Sequence, residues 1–158
     1  MLYARGRFEK KVHARLEEAG ITSFLPLRDE LRQWTDRKKL VSVPLFSGYI
    51  FVRVNERERV KALESEGALK YVGFGGKLAV IPPHIIDSLK IAVTRPREIR
   101  VEQTRLKLGQ PVRVAHGPLA GMRGRLVEFR GNTRIAISIE AINQVVSVEV
   151  ALADVAQE

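Results

Sequence analysis

The residues best suited to chemistry are cations grouped near aromatic rings. In "RQWTDRKKL", Arg37, Lys38 and Lys39 follow Trp34, and "ARGRFEKK" gathers Arg5, Arg7, Lys10 and Lys11. Cationic side chains neutralise phosphates and an indole stacks on bases, so each grouping suits a nucleic acid. A solvated basic loop with Trp34 packed locally is the alternative reading. Bond-making chemistry has no comparable set. His13, His84 and His116 fall in three separate segments without metal-ligand spacing, and His13 reads as solvated beside Lys10 and Glu17. No Gly-x-Ser-x-Gly elbow or P-loop is present, and "GFGG" at 73–76 reads as a turn at a strand end. The carboxylates lie scattered on charged helix faces rather than paired. The sequence therefore points to a binding protein with no catalytic residues, metal or cofactor.

Composition agrees with that direction. The chain has 158 residues, 27 Lys and Arg against 18 Asp and Glu, a formal charge of +9 and a pI near 10.3. A basic balance of this size suits an anionic partner, most often nucleic acid. An apolar fraction of 45% is ordinary for a globular protein. Cysteine is absent, which removes disulfides and thiolate metal sites. With no run of eighteen apolar residues and no signal-peptide pattern, the sequence reads as soluble and cytoplasmic.

These side chains need elements to position them. "LYAR" reads as a short strand. "RFEKKVHARLEEAG" is an amphipathic helix with Phe8, Val12, Leu16 and Ala19 on one stripe and Gly20 at its C-terminus. "ITSFLPL" is a second strand, and Arg28 to Leu40 reads as a long hairpin tip or mobile loop. "PLFSGYIFVRV" follows, apolar on both parities, with Phe46, Ile50 and Val52 expected under the helices and Tyr49 and Phe51 facing out. "NERERVKALESEG" carries a capping box at Asn55 and Glu58, places Val60 and Leu63 inward and takes Gly67 as terminator. "ALKYVGFGG" is a strand, and "VIPPHIIDSLKIAV" is a helix opened by its prolines.

The order through residue 93 is the βαββαβ pattern of a ferredoxin-like antiparallel sheet with both main helices on one face. Residues 94–107 read as a basic linker. From residue 108 onward short alternating strands, "TRIAISI" and "VSVEV" among them, with a Gly131–Asn132 hairpin, suggest a small β-barrel. The fold class is thus α+β, with a domain at 1–93, a linker at 94–107 and a barrel at 108–158.

The ordered set "RFEKKVHARLEEAGITSFLPL", "PLFSGYIFVRV", "LKYVGFGG" and "GQPVRVAHGPLAGMRGRLVEF" resembles the NusG-like transcription elongation and antitermination factors. The first three segments look like a NusG N-terminal domain and the last like a KOW motif opening an SH3-like barrel. The wording of "PLFSGYIFV" and the short linker look more like the specialised RfaH and UpxY types.

The resemblance implies a non-enzymatic, monomeric bacterial factor that docks an apolar face on the β′ clamp helices of RNA polymerase and suppresses pausing or termination. It assigns Tyr3, Tyr49 and Phe51 to that contact, joined by Tyr71 or Phe74. Arg5 matches a position near the non-template DNA strand, with Arg7 and Lys10 as neighbours. The KOW domain would recruit Rho or a small-subunit ribosomal protein, with Ile142 where the housekeeping factor presents a phenylalanine. Glu58, Arg59 and Val60 replace the His-Thr-Thr contact of RfaH, and the family usually carries residues ahead of the position of Leu2. The alternatives are a general NusG acting with Rho and a ribosome-associated KOW-type RNA-binding protein.

Overall fold

The computed structural model describes residues 1–96, 98–102, 109–129 and 131–158. Two compact units emerge, Met1–Val80 and Ile81–Glu158. The first unit opens with β1 (Leu2–Ala4), α1 (Glu9–Glu18) and β2 (Thr22–Phe24). A hairpin of β3 (Leu27–Gln33) and β4 (Lys38–Pro44) follows, then β5 (Tyr49–Arg53), α2 (Glu56–Leu63) and β6 (Ala68–Tyr71). A two-stranded ribbon, β7 (Gly73–Phe74) and β8 (Lys77–Leu78), completes the unit. The sheet is four-stranded and antiparallel in the order β2-β5-β1-β6, as the βαββαβ pattern requires.

Local chemistry explains the helix ends. Gly20, at φ +75, carries the left-handed residue after α1. Its N–H bonds to Glu17 O, and the Ile21 N–H reaches back to Leu16 O, the paired bonds of a Schellman motif. Leu16 and Ile21 then bury together in a core with Leu2, Ala4, Val12, Leu25, Ile50 and Ala62. At α2 the capping box forms as expected: the Glu58 N–H bonds to Asn55 Oδ1 at 2.9 Å, and the Asn55 N–H bonds to Glu58 Oε2 at 3.0 Å.

The buried face of α2 differs from the apolar pattern. Ala62 is its buried residue, while Val60 is 57% exposed and Leu63 is also exposed. Tyr71 donates its hydroxyl proton to Arg59 O at 2.9 Å, so the helix turns its Arg59–Ala62 side to the sheet. Gly67 turns the chain into β6 instead of capping α2, which ends at Leu63. The expected hairpin tip from Arg28 to Leu40 is a full ribbon, paired from Leu27↔Pro44 to Gln33↔Lys38.

In the second unit α3 (Pro83–Ala92) precedes β9 (Arg100–Glu102), β10 (Pro111–Val114), β11 (Arg123–Phe129), β12 (Asn132–Ile139), β13 (Gln144–Glu149) and β14 (Val155–Gln157). Short 3₁₀ turns lie at Glu140–Ile142 and Leu152–Asp154. The strands form a six-stranded antiparallel sheet in the order β14-β10-β11-β12-β13-β9. Val112, Val114, Ile135, Ile137, Ile139, Val146 and Val148 are among its buried residues.

Two boundaries differ from the sequence reading. Residues 81–93, placed there with the first domain, group with the second unit, where α3 contacts β11 and β12. The Arg123 N–H donates to the buried Ser88 Oγ at 2.9 Å, which ties helix to strand. Within the stretch read as a linker, Arg100–Glu102 pairs with β13 as a strand and Ile99 is buried. Arg97, Arg105 and Lys107 of that linker, and residue 108 where the barrel was placed to begin, lie outside the described residues.

The alternation expected in "TRIAISI" is lost, because Arg134 to Ile137 are all buried. Arg134 satisfies its burial by donating to Ser147 Oγ and Ser147 O at 3.0 and 2.9 Å and to Glu98 O at 3.1 Å. Asn132, read as a turn residue, already belongs to β12 opposite Phe129.

Candidate binding surface

Register determines which aromatic side chains share a face. Leu2 opposes Ile50 and Tyr3 opposes Tyr49, while Phe24 opposes Phe51. Leu2 and Ile50 are in the helix-side core, so Tyr3, Tyr49, Phe51 and Phe24 lie on the opposite face. The rings on this face pack in two groups. Tyr3 and Tyr49 centroids are 5.2 Å apart, Phe24 and Phe51 6.0 Å, and Phe46 meets Phe51 edge-on at 5.9 Å. Lys70, opposite Tyr3 on β6, ends the row with its Nζ 6.0 Å from the Tyr3 ring. Aromatic contacts of this kind hold the rings in defined orientations.

Three assignments change. Phe46, expected under the helices, packs instead with Phe51. The strand is interrupted at residues 45–48, where Gly48 at φ +83 and a Tyr49 N–H to Phe46 O bond of 3.1 Å make a turn that breaks parity. Phe51 keeps its expected face but is only 4% exposed, leaving Tyr3 and Tyr49, both half-buried, as the more accessible rings. Tyr71 lies on the other face. It opposes Leu2, packs on the helix-side core, and burial pushes its hydroxyl pKa up. Phe74 is apart from the row, 72% exposed on the β7–β8 ribbon.

Phe24 and Phe46 are the members that sequence reasoning missed. The signal for Phe24 was its strand's pairing with β5, which three residues cannot announce. The signal for Phe46 was Gly48, two residues on, which marks a turn as readily as a strand.

The basic residues form two groups. Arg5 and Lys11 flank the Phe8 ring, with Cζ and Nζ at 5.4 and 5.1 Å from its centroid. Arg7 is exposed between them with φ 69, a left-handed conformation uncommon for a long side chain. Lys10 is committed to structure, donating from Nζ to Ser42 O at 2.6 Å and thereby joining α1 to β4. The second group crowns the β3–β4 hairpin. Trp34 is 54% exposed there, Lys39 Nζ sits 5.6 Å over its ring, and Arg37 and Lys38 are exposed. The Trp34 N–H closes the tip on Arg37 O at 2.8 Å. Seven paired residues at about 3.3 Å each make this ribbon roughly 20 Å long.

His13 departs from its solvated reading. It is half-buried, and its Nδ1 is 2.7 Å from Ser23 Oγ, which in turn donates to Glu17 Oε1 at 3.0 Å. With the hydroxyl proton given to Glu17, the serine oxygen accepts from Nδ1–H. This arrangement clasps α1 to β2 and leaves no free nucleophile. In the second unit, Ile142 is half-buried in the turn between β12 and β13, ahead of Asn143 at φ 52. Among the described residues no helix is long and apolar enough to cross a membrane.

Comparison with known proteins supplies a family. Residues 1–90 match the family model described as transcription termination factor nusG, a span that reaches into α3. The chain is similar to the transcription termination/antitermination protein NusG of Thermus thermophilus, 26% identical over 151 residues that cover 86% of this chain and 82% of the relative. Its fold is similar to a solved structure titled "Domain interaction in Thermotoga maritima NusG", with a TM-score of 0.52, 18% identity, and coverage of 99% of this chain and 94% of that one. The family match spans more than half of the chain and covers the four-stranded sheet with α1 and α2, so the chain belongs to the NusG family of transcription elongation and antitermination factors, which are not enzymes.

Proposed function

We propose that this protein docks on the β′ clamp helices of RNA polymerase through the aromatic row of its first unit and suppresses pausing or termination. The observation that carries the reading is the set of rings, Tyr3 with Tyr49 and Phe51 with Phe24 and Phe46, on the sheet face opposite α1 and α2, in a member of the NusG family. Aromatic side chains give large contact area at low entropy cost and dominate such interfaces. Tyr3 and Tyr49 make the contact, and Phe51 supports them from beneath with Phe24 and Phe46. Tyr71 has no part in it, and Phe74 is a separate exposed contact.

The tip residues Trp34, Arg37, Lys38 and Lys39, with Arg5, Arg7 and Lys11, serve exposed nucleic acid at the polymerase, non-template DNA being the leading choice. The first unit acts as the NusG N-terminal domain and the strands that follow α3 as a KOW domain that recruits a further partner through Ile142, either a ribosomal protein or Rho. The "PLFSGYIFV" wording supports a specialised RfaH or UpxY type. The similarity to the Thermus protein, named for both termination and antitermination, supports a general NusG as the second reading.

Binding to purified RNA polymerase tests the proposal. Tyr3→Ala with Tyr49→Ala is expected to weaken it about a thousandfold, given that truncating each aromatic anchor costs about 2 kcal/mol. Unchanged binding by a folded double variant defeats the docking assignment. Rho-dependent release with the purified protein separates the two readings, since only the general factor stimulates it.

A further inference from the structure

Glu9 stands in the first turn of α1 on the same stripe as Val12 and Leu16, and it is only 4% exposed. A glutamate in a first helical turn helps the helix dipole from an exposed position, so that role does not explain burial. Its Oε1 instead accepts the Gly48 N–H at 2.8 Å, across 39 positions of sequence. Gly48 is held on two further sides. Its carbonyl accepts the Ala4 N–H at 2.7 Å, and the Tyr3 ring lies so close that a Cβ at Gly48 would fall 2.7 Å from Tyr3 Cε2. The same turn carries Phe46 before it and Tyr49 after it, closed by the Tyr49 N–H to Phe46 O bond. The Tyr3 ring packs at a tilt against Tyr49, and Phe46 meets Phe51 edge-on.

We propose that Glu9 is a positioning residue for the docking face, its buried carboxyl fixing the Gly48 turn that orients Tyr3, Phe46 and Tyr49. The inference rests on the docking reading above. Without an acceptor the Gly48 N–H is a buried unpaired donor, and the turn gains by rotating toward another partner. Rotation at Gly48 moves Tyr49 away from Tyr3 and lifts the ring that Gly48 admits. The effect therefore reaches the binding face from the helix side of the sheet, through one hydrogen bond.

The test uses the full chain, with polymerase affinity, thermal midpoint and Gly48 amide exchange measured for the native protein, Glu9→Gln, Glu9→Asp and Tyr49→Ala. Glu9→Gln keeps an oxygen acceptor at the same reach and is expected to bind within about twofold of native. Glu9→Asp is one methylene too short, and it is expected to bind about tenfold more weakly while folded, with faster exchange at Gly48. Native affinity in folded Glu9→Asp, or an equal loss in both Glu9 variants, overturns the proposal. Should Glu9→Asp not fold, Glu9→Gln decides. Its weaker acceptor must then shift the Gly48 amide proton and the Tyr3 and Tyr49 ring resonances together, and rings that stay unmoved defeat the assignment. If Tyr49→Ala leaves binding unchanged, the docking reading fails, while the coupled resonance shifts still judge Glu9 separately.

Discussion

At Glu17 one carboxylate oxygen accepts both the backbone N–H and the hydroxyl of Ser23, each at 3.0 Å. Those two bonds, the backbone one first, hold its carboxyl below the ordinary carboxylate range, and the charge of His13 adds to them. A group whose folded pKa is depressed stabilises the protein above its unfolded pKa, and that contribution disappears as pH falls through the folded value. Thermal midpoints measured between neutral pH and about pH 3 should therefore fall less steeply for Glu17→Gln than for the native chain below about pH 4.3. Equal slopes would remove Glu17 from the acid response. Phe51 makes a different residue-scale case. Its ring is buried against Phe24 and Phe46, so Phe51→Ala is expected to lower stability by about 3–5 kcal/mol, read in a denaturant titration. A loss of polymerase binding without that destabilisation would instead make Phe51 a direct contact.

Among the elements, the β3–β4 hairpin joins its charge to its geometry. Arg32 and Arg28 are paired with Glu30, whereas Arg37 and Lys38 at the tip are exposed. Each phosphate neutralised contributes about 0.7–0.9 to the salt slope of binding. Arg37→Gln with Lys38→Gln should thus reduce the slope for single-stranded DNA by about 1.5, and Trp34→Ala should weaken binding with the slope kept. An unchanged slope in the double variant would place the nucleic acid elsewhere. Much of this element was legible, since the basic run and its tryptophan are contiguous. The pairing of seven residues was not, because "RDELRQ" lacks the apolar alternation that marks a half-buried strand. The α2 capping box was equally legible, being a local bond between residues three apart. Its inward face was misjudged because Ala62, the smallest apolar residue, is what allows close packing.

For the molecule as a whole, α3 groups with the second unit although its sequence continues the pattern of the first. Hydrogen exchange in the full chain should show α3 amides sharing the protection of β11 and β12. Ser88→Ala, which leaves the Arg123 N–H without its acceptor, should speed exchange in α3 and β11 together and leave α1 unchanged. Exchange in α3 that follows α1 instead would assign the helix to the first unit. The βαββαβ order and the β-rich C-terminal half were both readable from periodicity. The allocation of α3 was not, because an amphipathic helix shows that it has an apolar face without showing which sheet covers it.

The sequence alone determined the βαββαβ order of the first unit, the helix ends at Gly20 and Asn55, the basic segment around Trp34 and the family, since each depends on residues a few positions apart or on an ordered set of motifs. Tertiary structure decided what "PLFSGYIFVRV" becomes. A turn at Gly48, held by Glu9 from the opposite side of the sheet, resets the parity of the segment and places Phe46, still buried, against Phe51 rather than under the helices. Tyr71 was likewise placed by register, because its opposition to Leu2 puts it under the helices. Side-chain alternation has a period of two, so one unpaired turn residue reverses every facing that follows, and only long-range hydrogen bonds choose where that residue falls.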